Sequence, residues 1–320
     1  MTARRLGVVM DPIQSIKPAK DTTLALMLSA QARGWQLCYF EMADLWLENG
    51  VARGRARVIE VRDDAEDWFR FGDEQIVDLG ALDAILMRKD PPFDSEYVYA
   101  TYILERAEAA GALVVNRPQS LRDANEKAYT AWFSQCTPPT LITRARAQWN
   151  RFRAEHGDVI AKPLDGMGGA SIFRLRTDDP NASVVFETLT DHGQRYCMLQ
   201  QFIPAISAGD KRILVVDGQA MPYVLARIPA SGETRGNLAA GGRGVVMPIS
   251  EREQWIAEQV GPSLRDKGLL FVGLDVIGDY LTEINVTSPT CVRELDKQYG
   301  SNISASLFDA LEQDQHGDNA

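Results

Sequence analysis

The stretch that decides the fold is residues 269–286, which reads LLFVGLDVIGDYLTEINV. Two β-prone runs flank a Gly-Asp turn signal, a pattern typical of a β-hairpin. A three-residue loop over residues 278–280 places Asp275 directly opposite Glu283. A two-residue loop would slip the register by one and mix polar with apolar side chains. The pattern therefore favours the three-residue loop.

In this register three oxygen-bearing side chains share one face of the hairpin, those of Asp275, Glu283 and Asn285. Like charges directly opposite each other are destabilising, and a divalent cation would cancel that repulsion. Carboxylates with an amide, and no histidine or thiol nearby, suit Mg²⁺ shared with substrate phosphates, with Mn²⁺ as the second choice. A solvated polar face is the alternative that the hairpin alone leaves open. The opposite face is almost wholly apolar: Val272, Leu274, Val276, Thr282, Ile284 and Val286.

Composition narrows the possible functions. The chain has 320 residues, of which 45% are hydrophobic, enough for a core divided over two or three lobes. Its 34 Lys+Arg against 44 Asp+Glu give a net charge of −10, which disfavours nucleic acids and anionic membranes as partners. We find no signal peptide or membrane span and expect a cytoplasmic protein whose four cysteines are buried free thiols.

The first third of the chain alternates strands and helices. We predict strands at residues 6–10, 35–40, 58–61, 84–87 and 112–115, a helix capped by Asp21 and ending at Gly34, and a helix over about residues 95–110. This βαβ rhythm predicts an α/β fold opening on a mostly parallel, doubly wound sheet. Ligands of such sheets bind beyond the carboxyl ends of strands, so Arg88 and Lys89 are candidate substrate contacts.

The rest of the chain is predicted to form two further lobes, giving domains at residues 1–120, 121–195 and 196–320. The second lobe contains a helix around 124–133 and a strand entering a glycine loop. The third opens with the run 198–203. It continues with a hairpin around Asp217-Gly218 and a helix that Ser250 and Glu253 cap. We expect Pro262 to kink or end that helix.

Two glycine-rich stretches are candidate phosphate and substrate loops. Residues 162–171 read KPLDGMGGAS; backbone N–H groups there could wrap phosphate oxygens beside a lysine, or form a plain loop. Residues 229–244 read PASGETRGNLAAGGRG, which we interpret as a lid bringing Arg235 and Arg243 over an anionic intermediate. A flexible surface excursion is the alternative. Arg212 and Arg227, on the preceding hairpin, are candidate phosphate or carboxylate contacts, or simply surface salt bridges.

The order of these pieces resembles an ATP-grasp ligase, in which two α+β lobes hold ATP between them. More specifically, residues 87–94 (MRKDPPFD), 116–123 (NRPQSLRD), 162–171, 232–244 and 282–290 (TEINVTSPT) resemble the prokaryotic glutathione synthetase family. The resemblance extends from residue 6 to about residue 311. It implies ATP-dependent joining of γ-glutamylcysteine to glycine through an acylphosphate.

The resemblance also implies a role for each matching residue. Arg212, Arg227 and Arg235 would be catalytic. Asp275, Glu283 and Asn285 would hold Mg²⁺. Arg88, Lys89, Ser288, Thr290, Gly241 and Gly242 would contact the other substrates. ATP would contact the following residues: Lys127, Lys162, Asp165, Gly166, Met167, Gly168, Gly169, Gln200, Gln201, Phe202, Ile203 and Asp210.

The resemblance further implies a homotetramer. Two rival functions stay open at this point. Another ATP-grasp carboxylate–amine ligase would share the lysines, the lid and the metal hairpin, and would differ around Arg88-Lys89 and residues 288–290. A non-catalytic ATP-binding module would need neither the lid nor the metal ligands.

Overall fold

The computed structural model describes residues 3–230, 236 and 241–317, without the side chains of residues 314–317. Three β-sheets of seven, four and five strands follow one another along the described chain. Helices cover the sheets, so the α/β fold class is confirmed. Within the described ranges, no helix is both long enough and apolar enough to cross a membrane.

The first sheet begins with the parallel arrangement that the sequence predicts. Its strands are β1 Arg5–Val9, β2 Gln36–Phe40, β3 Leu45–Glu48, β4 Val51–Val61, β5 Phe69–Asp78, β6 Ala84–Met87 and β7 Leu113–Val115. Strands β2, β1, β6 and β7 lie side by side in that order and are parallel. Helix α1 (Thr22–Ala32) packs on one face of these strands and α2 (Ser95–Glu108) on the other.

The other half of this sheet is antiparallel, which the sequence analysis did not predict. Strand β4 pairs antiparallel with β2, β3 and β5. A parallel partner would need a long crossover, and the segment between β2 and β4 holds only a 3-10 turn and β3. The strand predicted over residues 58–61 is the end of the 11-residue β4.

The predicted ends of both helices are confirmed. The Asp21 carboxylate accepts a hydrogen bond of 2.6 Å from the Leu24 amide, and Asp94 caps α2 in the same way. Beyond the helices, Gly34 and Gly111 adopt φ of +80° and +116°, a region that favours glycine. These caps satisfy amide groups that the first turn of a helix leaves without partners.

The second sheet is small and antiparallel. Its order is β10-β9-β11-β8, and helices α4 and α5 pack against it around Trp149 and Phe186. The elements are α3 Pro118–Asp123, β8 Thr140–Thr143, α4 Arg146–His156, β9 Val159–Pro163, β10 Phe173–Leu175, α5 Ala182–Thr190 and β11 Cys197–Gln201. The run 198–203, which the sequence analysis assigned to the third lobe, thus begins inside this sheet. In place of the helix predicted around 124–133, a 3-10 helix spans Ala128–Phe133.

The third sheet carries the acidic hairpin at its edge, in the order β14-β13-β12-β15-β16. Its elements are β12 Asp210–Val216, β13 Gln219–Ile228, β14 Arg243–Pro248, α6 Glu251–Asp266, β15 Phe271–Ile277, β16 Tyr280–Asn285, α7 Val292–Tyr299 and α8 Ile303–Gly317. The predicted turn at Asp217-Gly218 is confirmed, with positive φ at both residues. The Ser250–Glu253 capping box is also confirmed. Pro262 does not end α6, which continues to Asp266.

Candidate active site

The acidic hairpin consists of β15 and β16, and it pairs Asp275 with Glu283 as the sequence predicts. The predicted three-residue loop is wrong, since Ile277 pairs with Tyr280 and the turn is two residues long. A bulge at Thr282 adds one residue to β16 and restores the predicted register. The apolar face is buried as expected, at Val272, Leu274, Val276, Thr282, Ile284 and Val286.

Asp275 is ion-paired with two arginines, one on the adjacent strand β12 and one on the next strand, β13. Arg212 faces it on β12 and donates through Nε and Nη2 at 2.6 and 3.1 Å. Arg227 Nη2 lies 2.9 Å from the same carboxylate. Burial alone would raise the pKa of Asp275, but the two guanidinium groups outweigh it and hold the pKa well below its usual range. The two arginines therefore offset the repulsion between Asp275 and Glu283 that the sequence indicates, and a divalent cation is not needed for this by itself.

Asp210, at the start of β12, completes this network. Its Oδ2 accepts a hydrogen bond of 2.6 Å from Arg227. Its Oδ1 is buried in the cleft wall without a hydrogen-bond partner among the described residues. Burial raises the pKa of Asp210 to about 6, since Arg227 is shared with Asp275 and opposes the shift only in part. An unpartnered buried oxygen of this kind is suited to accept a ligand hydrogen bond.

Two lysines approach Glu283 from the other side of the cleft. Lys162 Nζ lies 3.5 Å from the Glu283 carboxylate and 3.3 Å from the Thr282 carbonyl oxygen. Lys127 Nζ lies 3.8 Å from the same carboxylate and donates to the Gly166 carbonyl oxygen at 2.5 Å. Burial lowers the pKa of Lys162, and Glu283 opposes that shift.

The glycine loop closes the cleft above these lysines. Gly166, Met167, Gly168 and Gly169 line the cleft. Gly168 and Gly169 have φ of +63° and +80°, where a side chain would be strained. Asp165 does not line the main cleft and borders a smaller neighbouring cavity. The loop thus presents backbone, with little side-chain bulk, next to two ammonium groups, an arrangement suited to phosphate oxygens.

The segment linking the second and third sheets forms another wall. Gln200, Gln201, Phe202 and Ile203 all line the cleft, as the resemblance implies for adenine. Phe202 is also packed from behind, because the Arg174 guanidinium stacks over its ring at 3.6 Å from the centroid. Gln200 and Phe202 are tied to the second sheet through Thr140 Oγ1 and the Asp158 carbonyl oxygen.

These groups surround one cavity of about 330 Å³, the size of a small-molecule site. The three predicted metal ligands, Asp275, Glu283 and Asn285, all line it. Asn285 donates through Nδ2 to the Gly273 carbonyl oxygen at 3.2 Å, which leaves the amide oxygen as its acceptor. Across the described residues, no three His, Cys, Asp or Glu side chains cluster as a metal site. Two carboxylates and an amide oxygen fit Mg²⁺ that takes its other ligands from phosphates or water.

The predicted substrate residues divide into two groups. Ser288 and Thr290 line the cleft. Arg88 does not line it and is buried, donating to Thr23 Oγ1 at 3.1 Å and to the Pro289 carbonyl oxygen at 2.9 Å. Lys89 also lies outside the lining and is paired with Asp11 at 2.9 Å. The structure therefore gives Arg88 an internal contact with the segment 288–290, not a place in the cleft lining.

The predicted lid falls largely on residues that the structure does not describe. Arg235 lies outside the described residues. Gly241 and Gly242 are described and precede β14, and they are not in the cleft lining. Gly236 does line the cleft, where a Cβ would come within 2.4 Å of the Arg227 carbonyl oxygen. Only glycine fits at that position.

Sequence reasoning assigned no individual role to several residues of the cleft lining. Among them are Asp90, Glu126, Gly236 and Thr287. Glu126 gave no signal of its own, because it lies in an irregular segment between α3 and a 3-10 helix. Its only hint was its position beside Lys127.

Comparison with known proteins agrees with this geometry. The family model "Prokaryotic glutathione synthetase, N-terminal domain" matches residues 5–122, and "Prokaryotic glutathione synthetase, ATP-grasp domain" matches residues 126–300. The chain is 64% identical over 308 residues to a glutathione synthetase of Vibrio cholerae, covering 96% of this chain and 97% of that protein. It is 62% identical to one of Pseudomonas aeruginosa, covering 96% and 97%.

Solved structures of lower identity share the fold. The D-cycloserine synthetase DcsG aligns with a TM-score of 0.68 at 15% identity, over 96% of this chain and 99% of that one. The ATP-grasp ligase PsnB, solved with a minimal precursor, Mg and ADP, aligns with a TM-score of 0.61 at 19% identity, over 96% and 97%. These two neighbours support the fold alone, whereas the family models cover nearly the whole sequence. The chain belongs to the prokaryotic glutathione synthetase family and is an ATP-dependent ligase.

Proposed function

We propose that this protein joins γ-glutamylcysteine to glycine with ATP, giving glutathione, ADP and phosphate. One observation carries the proposal: a single cleft collects a lysine pair, a glycine loop, an arginine pair and the Asp275–Glu283–Asn285 set. These groups suit phosphoryl transfer, because that reaction needs positioning and charge neutralisation more than covalent chemistry. Relatives at 61–64% identity named glutathione synthetase supply the substrate assignment.

The reaction has two steps. A cysteinyl carboxylate oxygen of the dipeptide attacks the γ-phosphorus, the bond to the β-phosphate oxygen breaks, and ADP leaves. The glycine amine then attacks the acylphosphate carbonyl, loses a proton, and inorganic phosphate leaves with the bridging oxygen. Lys127 and Lys162 orient the phosphates under the glycine loop. Arg212 and Arg227 face the reacting carbonyl, where donors of this kind contribute about 10²–10³ in rate.

Mg²⁺ would be held by Asp275, Glu283 and Asn285. When bound, it neutralises phosphate charge and fixes the orientation of the phosphate chain. The two lysines beside it would supply further positive charge to the phosphates, since Lys162 and Lys127 lie within 4 Å of Glu283. Asp210 would accept a hydrogen bond from the nucleotide ribose through its unpartnered Oδ1.

The lid would protect the intermediate. An acylphosphate is hydrolysed in open water, so closure of residues 229–244 would exclude water during the second step. Arg235 would then reach the transferring group, and Gly241 and Gly242 would lie against the substrates. Three lobes at residues 1–120, 121–195 and 196–320, a homotetramer and a cytoplasmic location complete the proposal. Size-exclusion chromatography with light scattering tests the tetramer.

A single-omission assay tests the reaction. With γ-glutamylcysteine, glycine, ATP and Mg²⁺ present, we expect glutathione and phosphate in equal amounts, and neither product when any one component is left out. A dipeptide labelled with ¹⁸O in its cysteinyl carboxylate should transfer one ¹⁸O to phosphate. Label in AMP, or turnover only with a different acyl donor such as D-alanine, would contradict the proposal.

A further inference from the structure

The outer edge of the metal hairpin is completed by a segment from outside the sheet. Strand β16 is the last of its sheet, so its outward amide groups have no neighbouring strand to pair with. The Leu281 amide donates to the Cys136 carbonyl oxygen, and the Ile284 amide donates to the Glu126 carbonyl oxygen, both at 2.8 Å. The segment 126–136 thus takes the place of a further strand.

Beyond the end of β16 the side chain of Glu126 takes over from its backbone. Its Oε1 accepts hydrogen bonds from the Val286 amide at 3.0 Å, the Thr287 amide at 3.1 Å and the Thr287 hydroxyl at 2.8 Å. Three donors on one carboxylate oxygen fix the direction in which the chain leaves Asn285. The same oxygen therefore controls both the last metal ligand and the segment 287–290 that follows it.

The opposite side of this segment is fixed from the first domain. Asn116 Nδ2 donates to the Val286 carbonyl oxygen at 2.7 Å, and Arg88 donates to the Pro289 carbonyl oxygen. Ser288 Oγ donates to Asp90 at 2.5 Å. Residues 286–289 are thus held by two sets of hydrogen bonds, and the Glu126 side chain accepts all three bonds of one set.

Glu126 also borders the nucleotide end of the cleft through its neighbours. Lys127, the next residue, donates to the Gly166 carbonyl oxygen, and Asn125, the preceding one, donates to the Leu164 carbonyl oxygen at 3.1 Å. Residues 125–127 therefore connect the glycine loop to the segment 286–290. A shift of Glu126 would change the distance between the glycine loop and the segment 286–290.

We infer that Glu126 is a positioning residue for the ligation, which sets the segment 287–290 and Asn285 in register with the phosphate-binding lysine beside it. The inference rests on the proposed function. Glu126 acts as a hydrogen-bond acceptor, so a neutral side chain of the same shape that also accepts hydrogen bonds should replace it. Loss of the acceptor should impair use of the dipeptide far more than binding of ATP, because ATP contacts the lysines and the loop directly.

Two substitutions distinguish the loss of the hydrogen-bond acceptor from the loss of the negative charge alone. Glu126→Gln keeps an acceptor oxygen, and Glu126→Met keeps the length without one. We expect Glu126→Met to raise KM for γ-glutamylcysteine at least about tenfold and to change the ATP Kd less than about threefold, since three hydrogen bonds of modest strength are lost. Glu126→Gln should restore KM to within about threefold of the wild type. Steady-state kinetics and calorimetry with ATP give the two readouts.

The matched control is Glu253, another buried carboxylate, which accepts a hydrogen bond from the Ser250 amide at 2.8 Å and is not part of the cleft lining. Glu253→Met should lower the melting temperature and leave the KM for the dipeptide unchanged. If Glu126→Met does not fold, Thr287→Val removes one of the three donors and should raise the same KM by a smaller factor.

Four results would overturn the inference. The first is an unchanged KM for the dipeptide in Glu126→Met or, if that variant does not fold, in Thr287→Val. The second is a loss of ATP affinity as large as the loss in dipeptide use. The third is a Glu126→Gln variant as impaired as Glu126→Met, and the fourth is a Glu253→Met variant whose dipeptide KM rises as much as that of Glu126→Met. The wild-type omission assay tests the proposed function independently, so failure of one does not imply failure of the other.

Discussion

The two cationic clusters of the cleft differ in how their charge is balanced. Arg212 and Arg227 face two carboxylates, Asp210 and Asp275, with contacts of 2.6–2.9 Å. Lys127 and Lys162 share one carboxylate, Glu283, at 3.8 and 3.5 Å. The arginine cluster has two positive and two negative groups, whereas the lysine cluster has two positive groups and one negative group.

This difference indicates a division of roles. The arginine cluster is preassembled, so its donors are already oriented when the substrates arrive. The lysine cluster has an excess positive charge and longer contacts, so it can exchange Glu283 for phosphate oxygens without breaking a tight pair. Substitutions in the first cluster should therefore damage both folding and turnover, and substitutions in the second should damage nucleotide binding alone.

The largest expected effect is that of Arg212→Ala. It leaves Asp275 buried with one arginine, and breaking a buried pair typically costs about 3–5 kcal/mol of stability. Loss of one donor at the reacting group should lower kcat by about 10²–10³. Denaturant unfolding and steady-state kinetics measure both. Arg265→Ala is the control, since Arg265 makes the same bidentate contact with Asp217 at the surface and should change neither quantity appreciably. Wild-type stability in Arg212→Ala would contradict the preassembled cluster.

Lys162→Met should have the next largest effect, confined to nucleotide binding. We expect the ATP Kd to rise about 10- to 100-fold, the range for loss of a charged hydrogen bond. Stability without ligand should stay the same or increase, because burial lowers the pKa of Lys162 and its charged form is therefore costly in the empty cleft. Calorimetry and thermal melting test this. Lys211→Met, outside the cleft lining, is the control for ATP binding only, because Lys211 pairs with the buried Glu253. An unchanged ATP Kd would refute the role of the lysine cluster.

Glu283→Gln should weaken the dependence on Mg²⁺. The variant keeps one acceptor oxygen but removes the charge that the metal and both lysines share. We expect the Mg²⁺ concentration for half-maximal activity to rise about tenfold or more, as even indirect metal partners cause changes of that size. A titration curve identical to that of the wild type would show that Glu283 is not a ligand.

The pH dependence of stability offers a smaller and separate test. Burial raises the pKa of Asp210 to about 6 from an ordinary value of 3.8. A group with a raised pKa in the folded state stabilises it when protonated, so this contribution is present below pH 4 and is lost as the pH rises through 6. Between these values the ligand-free protein should lose roughly 2 kcal/mol of stability from this group. Asp210→Asn should remove this slope in denaturant unfolding at pH 4–7, and a persistent slope would count against the assignment.

The smallest expected effect is that of Arg174, which stacks on Phe202 from behind the cleft. Arg174→Met should raise the KM for ATP about threefold, the size of an exposed cation–π contact. The kcat should not change, because Arg174 does not line the cleft. A change in kcat of the same size would indicate a role beyond supporting the Phe202 ring.

The sequence predicts the faces of elements better than their connections. The alternation in residues 269–286 fixes which side chains are buried, because moving one residue would expose the apolar set. It does not distinguish a three-residue loop from a two-residue loop followed by a bulge, since both pair Asp275 with Glu283. The bulge at Thr282 became visible only in the register of β15 and β16.

Contacts between distant segments were beyond the reach of the sequence pattern. Arg88 follows a strand end, which suggested a substrate contact, but its partners Thr23 and Pro289 are 65 and 201 residues away in the chain. Glu126 lies 160 residues from Val286, and no local periodicity links them. The glycine loop does line the cleft, and its sequence signal is local, because glycine spacing alone indicates where backbone N–H groups are open.

The most direct test of the division between the clusters is a crystal structure with Mg²⁺ and a non-hydrolysable ATP analogue. We predict that the β- and γ-phosphates lie within hydrogen-bond distance of Lys127 and Lys162, that the metal bridges them to Asp275, Glu283 and Asn285, and that the Arg212–Asp275 pair stays in place. A triphosphate bound away from the lysines, or an Arg212–Asp275 pair broken by nucleotide binding, would contradict this account.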